Sequence, residues 1–111
     1  MGTAAAERDD AFAAMTAREL ESLLLARCVA VARTGGAQAA RDPCEANVFR
    51  LAAMVVQSAF PRESQGLMQA SEQYFSAHPA DRMAPADVVR KGWVLSLPRL
   101  RDMLGHRLKR A

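Results

Sequence analysis

Leu20, Leu24, Cys28 and Val31 recur at intervals of three and four, with Leu23 and Ala32 widening the stripe, while Arg18, Glu21, Arg27 and Arg33 fall elsewhere. That is the period of one face of an α-helix. Just ahead lies Thr16-Ala17-Arg18-Glu19, a capping box in which hydroxyl and carboxylate satisfy the free amides of a first turn. Thr34-Gly35-Gly36 ends the helix, because Gly just past the last turn accepts the left-handed conformation that closes the final carbonyls. A second start follows at Asp42-Pro43-Cys44-Glu45, with a capping Asp, a Pro whose missing amide is not needed there, and a Glu completing the box. Beyond it two stripes overlap: Val48, Leu51, Ala52, Val55 and Ala59 with Phe49, Ala53, Val56 and Phe60. The spacing predicts a central helix, apolar round most of its circumference and stopped by Pro61. A third helix is predicted from about Arg62 to Ala77, carrying Leu67, Met68, Ser71, Tyr74 and Phe75 on one side. Gly66 weakens it, and His78-Pro79 breaks it.

Asp81 to Pro85 reads as a turn, and Pro85 as the first position of a long last helix with the stripe Val89, Trp93, Leu97, Leu100, Leu104 and Leu108. Pro98 should kink or divide that helix near Ser96 and Leu97, since it removes an amide and crowds the preceding turn. The expectation is an all-α fold: one domain over residues 1–111, a small bundle of about four amphipathic helices. Residues 1–10 form a disordered leader in this reading, and residues 85–111 a basic C-terminal helical segment.

Composition agrees with helices. Half of the 111 residues are apolar, yet only Phe12, Phe49, Phe60, Tyr74, Phe75 and Trp93 are aromatic, so Ala, Leu, Val and Met carry the apolar mass. One core suits this length. The longest apolar runs, Leu23 to Ala26 and Leu51 to Val56, fall far short of the ~20 residues that span a bilayer. Residues 1–10 have no basic stretch followed by an apolar one, so they do not read as a secretory signal, and a cytoplasmic location is expected. Two thiols, Cys28 and Cys44, are too few for a secreted disulfide framework and are expected reduced. A Cys28–Cys44 bridge across a helical hairpin is the less favoured alternative. Neither Cys has a second Cys or His at zinc-ligand spacing, so no metal or cofactor is implied.

Charge changes the picture locally. Residues 85–111 hold Arg90, Lys91, Arg99, Arg101, Arg107, Lys109 and Arg110 against Asp87 and Asp102, so the net +3 of the chain comes from this end. Such cations can bind phosphates of nucleic acid or an anionic membrane or granule surface. They can equally complement a helix C-terminus and keep a small protein dissolved, and that solvated reading is preferred. Trp93 is the segment's only aromatic, and no helix-turn-helix spacing is visible, which argues against nucleic acid.

Little else carries chemistry. Cys44 in a first helical turn has its thiolate favoured by the helix dipole, although a plain small residue near a cap is the simpler reading; Cys28 reads as core. His78 and His106 have no carboxylate or nucleophile at a catalytic spacing, and the carboxylate pairs Glu19/Glu21 and Asp9/Asp10 do not face one another on a helix. No enzyme and no small-molecule substrate are expected. The first functional expectation is a helical protein–protein interaction module: an adaptor, chaperone-like or regulatory subunit that forms a homodimer or joins a larger partner. Its apolar face would be Trp93, Leu97, Leu100, Leu104 and Leu108, a surplus of stripe over what a small monomer covers. The second is an anion-binding protein using the seven C-terminal cations.

Overall fold

The computed structural model of the chain describes residues 15–110, so the expected leader lies outside the described residues. Within them are five α-helices and no strand: α1 (Ala17–Arg33), α2 (Pro43–Val56), α3 (Pro61–Ala77), α4 (Pro85–Arg90) and α5 (Leu97–Lys109), with a 3₁₀ turn at Pro79–Asp81. The start signals work as chemistry requires. The Glu19 amide donates to the Thr16 hydroxyl and the Thr16 amide to the Glu19 carboxylate, both at 3.1 Å. That reciprocal bonding holds the Glu19 carboxyl below the usual carboxylate range. Asp42 accepts from the Glu45 amide at 2.9 Å, and Pro43 opens α2.

Two boundaries differ from the periodicity. Helix α2 ends at Val56, before Pro61 demands it, and Ala59 is exposed in the turn rather than continuing a stripe. More consequentially, the long last helix does not exist as one body. Its two halves are separated by Lys91–Ser96, where Gly92 takes a φ of +80° that only glycine adopts without strain. Val89, Trp93 and Leu97 keep helical spacing, but Val89 and Leu97 lie on opposite sides of this turn and Trp93 lies within it. The division does fall at Ser96, whose hydroxyl caps α5 by accepting from the Arg99 amide at 3.2 Å. Pro98 therefore helps start α5, its missing donor falling in the first turn, where no helical acceptor is lost.

All the helices share one core with α2 at its centre, where Phe49, Leu51, Ala52 and Ala53 are at most 1% exposed. Helix α3 packs on α2, and the α1–α2 connection is pressed onto α3. The Ala40 amide donates to the Ala70 carbonyl at 3.1 Å, and Gly35 and Gly36, both at positive φ, lie directly on Gly66. Gly66 thus has a reason beyond propensity: a Cβ there would sit about 3.0 Å from the Gly35 backbone.

Polar side chains pin the remaining joints. Glu45, 0% exposed, accepts from the Arg27 guanidinium at 3.0 Å and from the Arg41 amide at 3.1 Å, tying α1 to the start of α2. Asn47, also 0% exposed, donates to the carbonyls of Pro43 and Asp81 and accepts from the Met83 amide at 2.9 Å. From the α3 side, Tyr74 donates to Asp81 at 2.8 Å, and Arg82 forks onto Glu72 at 3.0 Å while lying over the Phe75 ring. The chain between α3 and α4 is therefore held from both helices, and this fixes where α4 and the turn into α5 can go.

Candidate functional site

Helices α1 and α5 run side by side in the same direction, and two arginines define that register. Near their starts, Arg99 forks onto Glu21 at 2.6 and 2.9 Å, which holds the Arg99 guanidinium charged more firmly than usual. At their far ends, Arg33 reaches across to the last turn of α5 and donates to the carbonyl oxygens of Arg110 at 2.6 Å and Arg107 at 3.5 Å. A guanidinium on those carbonyls closes the helix as a C-cap does and offsets its negative end. Between these ties an open groove follows the two helices, lined by Ala26, Val29, Ala30 and Arg33 of α1 and by Arg107 and Arg110 at the end of α5.

The chemistry of the groove comes from what is present and what is missing along it. Ala26 and Ala30 are exposed and small, Val29 is half-buried, and together they make a shallow apolar floor. Three arginines line one end, and among the described residues no Asp or Glu lines the groove. Elsewhere on the basic segment the charge is locally compensated: Arg90 pairs with Asp87 at 2.9 Å, Arg99 with Glu21, Arg101 with Asp102 at 3.5 Å, and Lys91 lies over the Trp93 ring. Of the seven cations expected to meet an anion, Arg107 and Arg110 are thus brought together with Arg33, while Lys109 lines a second hollow with Phe60, Arg101, Asp102 and His106. The Arg110 guanidinium is within 3.1 Å of the His106 ring.

The leucine stripe has a different fate. Leu104 is 0% and Leu100 7% exposed, both inside the chain's own core, so neither has surface to give a partner. Trp93, Leu97 and Leu108 are half-buried against the same core. The apolar stripe is largely taken up within the chain, because the second half of the divided helix, α5, packs on α2. Among the described residues, the large apolar side chains that remain exposed are scattered: Leu23, Met54 and Leu95. Arg33 is the functional candidate that sequence spacing misses. Its only signal is its place as the last residue of α1, which says nothing about a neighbouring helix end.

Both cysteines are buried. Burial with the Glu45 carboxylate nearby pushes the Cys28 thiol up to about 12. Cys44 is 3% exposed, so the favourable dipole at its helix start acts on a sulfur that reagents cannot approach in the folded state. Among the described residues no three His, Cys, Asp or Glu side chains come together in a way that could hold a metal ion. No helix among them is long and apolar enough to cross a membrane. No family model, curated protein or solved structure matches the chain.

Proposed function

We propose that this protein is a small non-enzymatic helical interaction module, an adaptor or regulatory subunit of the cytoplasm, and that it engages a partner protein through the groove between α1 and α5. The observation that carries the reading is the meeting of Arg33, Arg107 and Arg110 at one end of an alanine-floored groove that, among the described residues, no Asp or Glu lines. Arginine suits an interface because its fork gives directed hydrogen bonds and it sheds water more readily than lysine does. Helix-end complementation accounts for Arg33, which sits on the carbonyls of Arg107 and Arg110 and so brings them beside it, but it makes no use of the exposed alanine floor. Two buried cysteines, too few for a disulfide framework, fit the cytoplasmic assignment.

The second reading is a groove for phosphate, on nucleic acid or an anionic surface, and the same three cations favour it. It makes no use of the apolar floor. Affinity capture from the native cell tests the first reading. The intact protein should retain a partner that the R107E/R110E variant loses and the R90E/R101E variant keeps. Identical partners for all three, or recovery of nucleic acid alone, would contradict it.

A further inference from the structure

We infer that the partner presents an acidic amphipathic helix, laid along the α1/α5 groove with small residues on Ala26 and Ala30 and carboxylates at Arg33, Arg107 and Arg110. The inference rests on the docking role just proposed for the groove and adds the chemistry of its occupant.

Shape argues first. Two parallel helices with small side chains along one of them leave a trough whose natural filler is a third helix, since helix axes approach to about 8–10 Å only where side chains are short. Ala26 and Ala30, one turn apart on the exposed side of α1, supply that approach. Charge argues next. The arginines that line the trough, Arg33, Arg107 and Arg110, lie at a single end rather than along it, so a complementary helix needs carboxylates near one terminus and small apolar residues over the rest. An extended nucleic-acid backbone would instead place phosphates over the alanines, and the groove has no aromatic ring to stack a base. A membrane is flat and would meet the rims of a concave trough rather than its floor. The adjoining hollow that contains Phe60 and Gly105 is a weaker candidate, because Asp102 stands in it beside Arg101 and would repel a carboxylate partner.

The test uses the full chain, isotopically labelled, with amide shifts followed during titration with a synthetic helical peptide. The peptide carries one alanine stripe and a block of glutamates at one end; a second peptide has the same composition in scrambled order. The expected result is shifts centred on Ala26, Ala30, Arg33, Arg107 and Arg110, with at least about tenfold weaker binding for the scrambled peptide and for R107E/R110E at unchanged helical content. The R62E variant, altered on α3, should bind as the parent does. Equal binding of both peptides would overturn the helix assignment and leave only charge. Shifts of the same amides with phosphatidylserine vesicles or duplex DNA, and none with peptide, would overturn it in favour of a phosphate ligand. Shifts of the groove amides in an E7Q/D9N/D10N variant without peptide would overturn it by showing the chain's own N-terminal segment in the trough. If no peptide binds but R107E/R110E still loses the cellular partner, the helix inference falls while the docking role stands. If that variant keeps the partner, both fall.

Discussion

Replacing Leu104 by alanine separates a core position from a partner-facing one. Its side chain is 0% exposed in the isolated chain, on the face of α5 turned to α2. The change removes three buried carbon groups, worth about 0.8 kcal/mol each, or about 2.4 kcal/mol of lost transfer energy. A cavity is left where neighbours relax only partly, so the total should be about 3–4 kcal/mol, within the range measured for buried leucines. For a domain of this size that is a large share of the whole stability, and the melting temperature should fall by about 12–20 °C. Urea unfolding followed by far-ultraviolet circular dichroism reads the loss, with an unchanged dependence on denaturant showing that the unfolded reference is the same. Leu23→Ala, at a 38% exposed position on α1, is the control and should cost well under half as much. A loss below about 1 kcal/mol for Leu104→Ala would refute the burial and return the leucine stripe to an intermolecular role.

Three further outcomes follow from the joints of the fold. Gly36→Ala should destabilise by at least about 2 kcal/mol in the same assay, because it combines a left-handed backbone with a Cβ driven into the Gly66 carbonyl; a neutral effect would mean that the turn does not touch α3. Asn47→Ala leaves the Met83 amide without its acceptor and should cost about 3 kcal/mol, with faster hydrogen exchange at Met83; unchanged exchange would contradict the tie. Alkaline pH should weaken the fold. Burial raises the Cys28 thiol from its ordinary 9.0 to about 12, and desolvation together with the hydrogen bond to Asp81 raises the Tyr74 phenol from 10.0 to about 12. A folded value above the unfolded one gives stability that is complete below the unfolded value and is lost as pH rises toward the folded one. The decline should therefore run from about pH 9 to about pH 12, of order 1 kcal/mol per pH step from Cys28, and Cys28→Ala should flatten its lower part. A parent and a variant with the same alkaline limb would contradict the assignment to Cys28.

Much of this fold is legible in local chemistry. Thr16, Glu19, Asp42 and Pro43 mark helix starts because capping needs only a few neighbouring residues: both bonds of the box are made at Thr16, and at Asp42 the side chain caps the Glu45 amide while the Glu45 carboxylate accepts from the Arg41 amide and from Arg27. Stripe periodicity identifies Leu20, Leu24, Cys28, Leu51 and Phe75 as core for the same reason. The last helix misleads because Val89, Trp93 and Leu97 keep a four-residue interval across a turn. Gly92 and Ser96-Leu97-Pro98, a stop followed by a start, are the signals that outweigh it. Contacts between distant segments are the part that spacing cannot reach. Gly66 looks like a weakness until Gly35 and Gly36 are seen against it, and Asn47 and Glu45 give no hint of burial until their partners arrive from Asp81, Met83 and Arg27. The candidate site belongs to this second kind. Two of its six lining residues, Arg107 and Arg110, are visible as a basic tail, while the arginine and alanines that turn a tail into a groove come from a helix more than seventy residues earlier, as the Arg33 to Arg107 separation of 74 shows.

The docking role of the groove is tested most directly by hydrogen exchange of the intact protein with and without the partner recovered by affinity capture. The account predicts added protection confined to the outer face of α1 from Ala26 to Arg33 and to the last turn of α5. Protection centred instead on Leu95, on Met54 or on the Met83–Lys91 surface, with the α1/α5 groove unchanged, would contradict it.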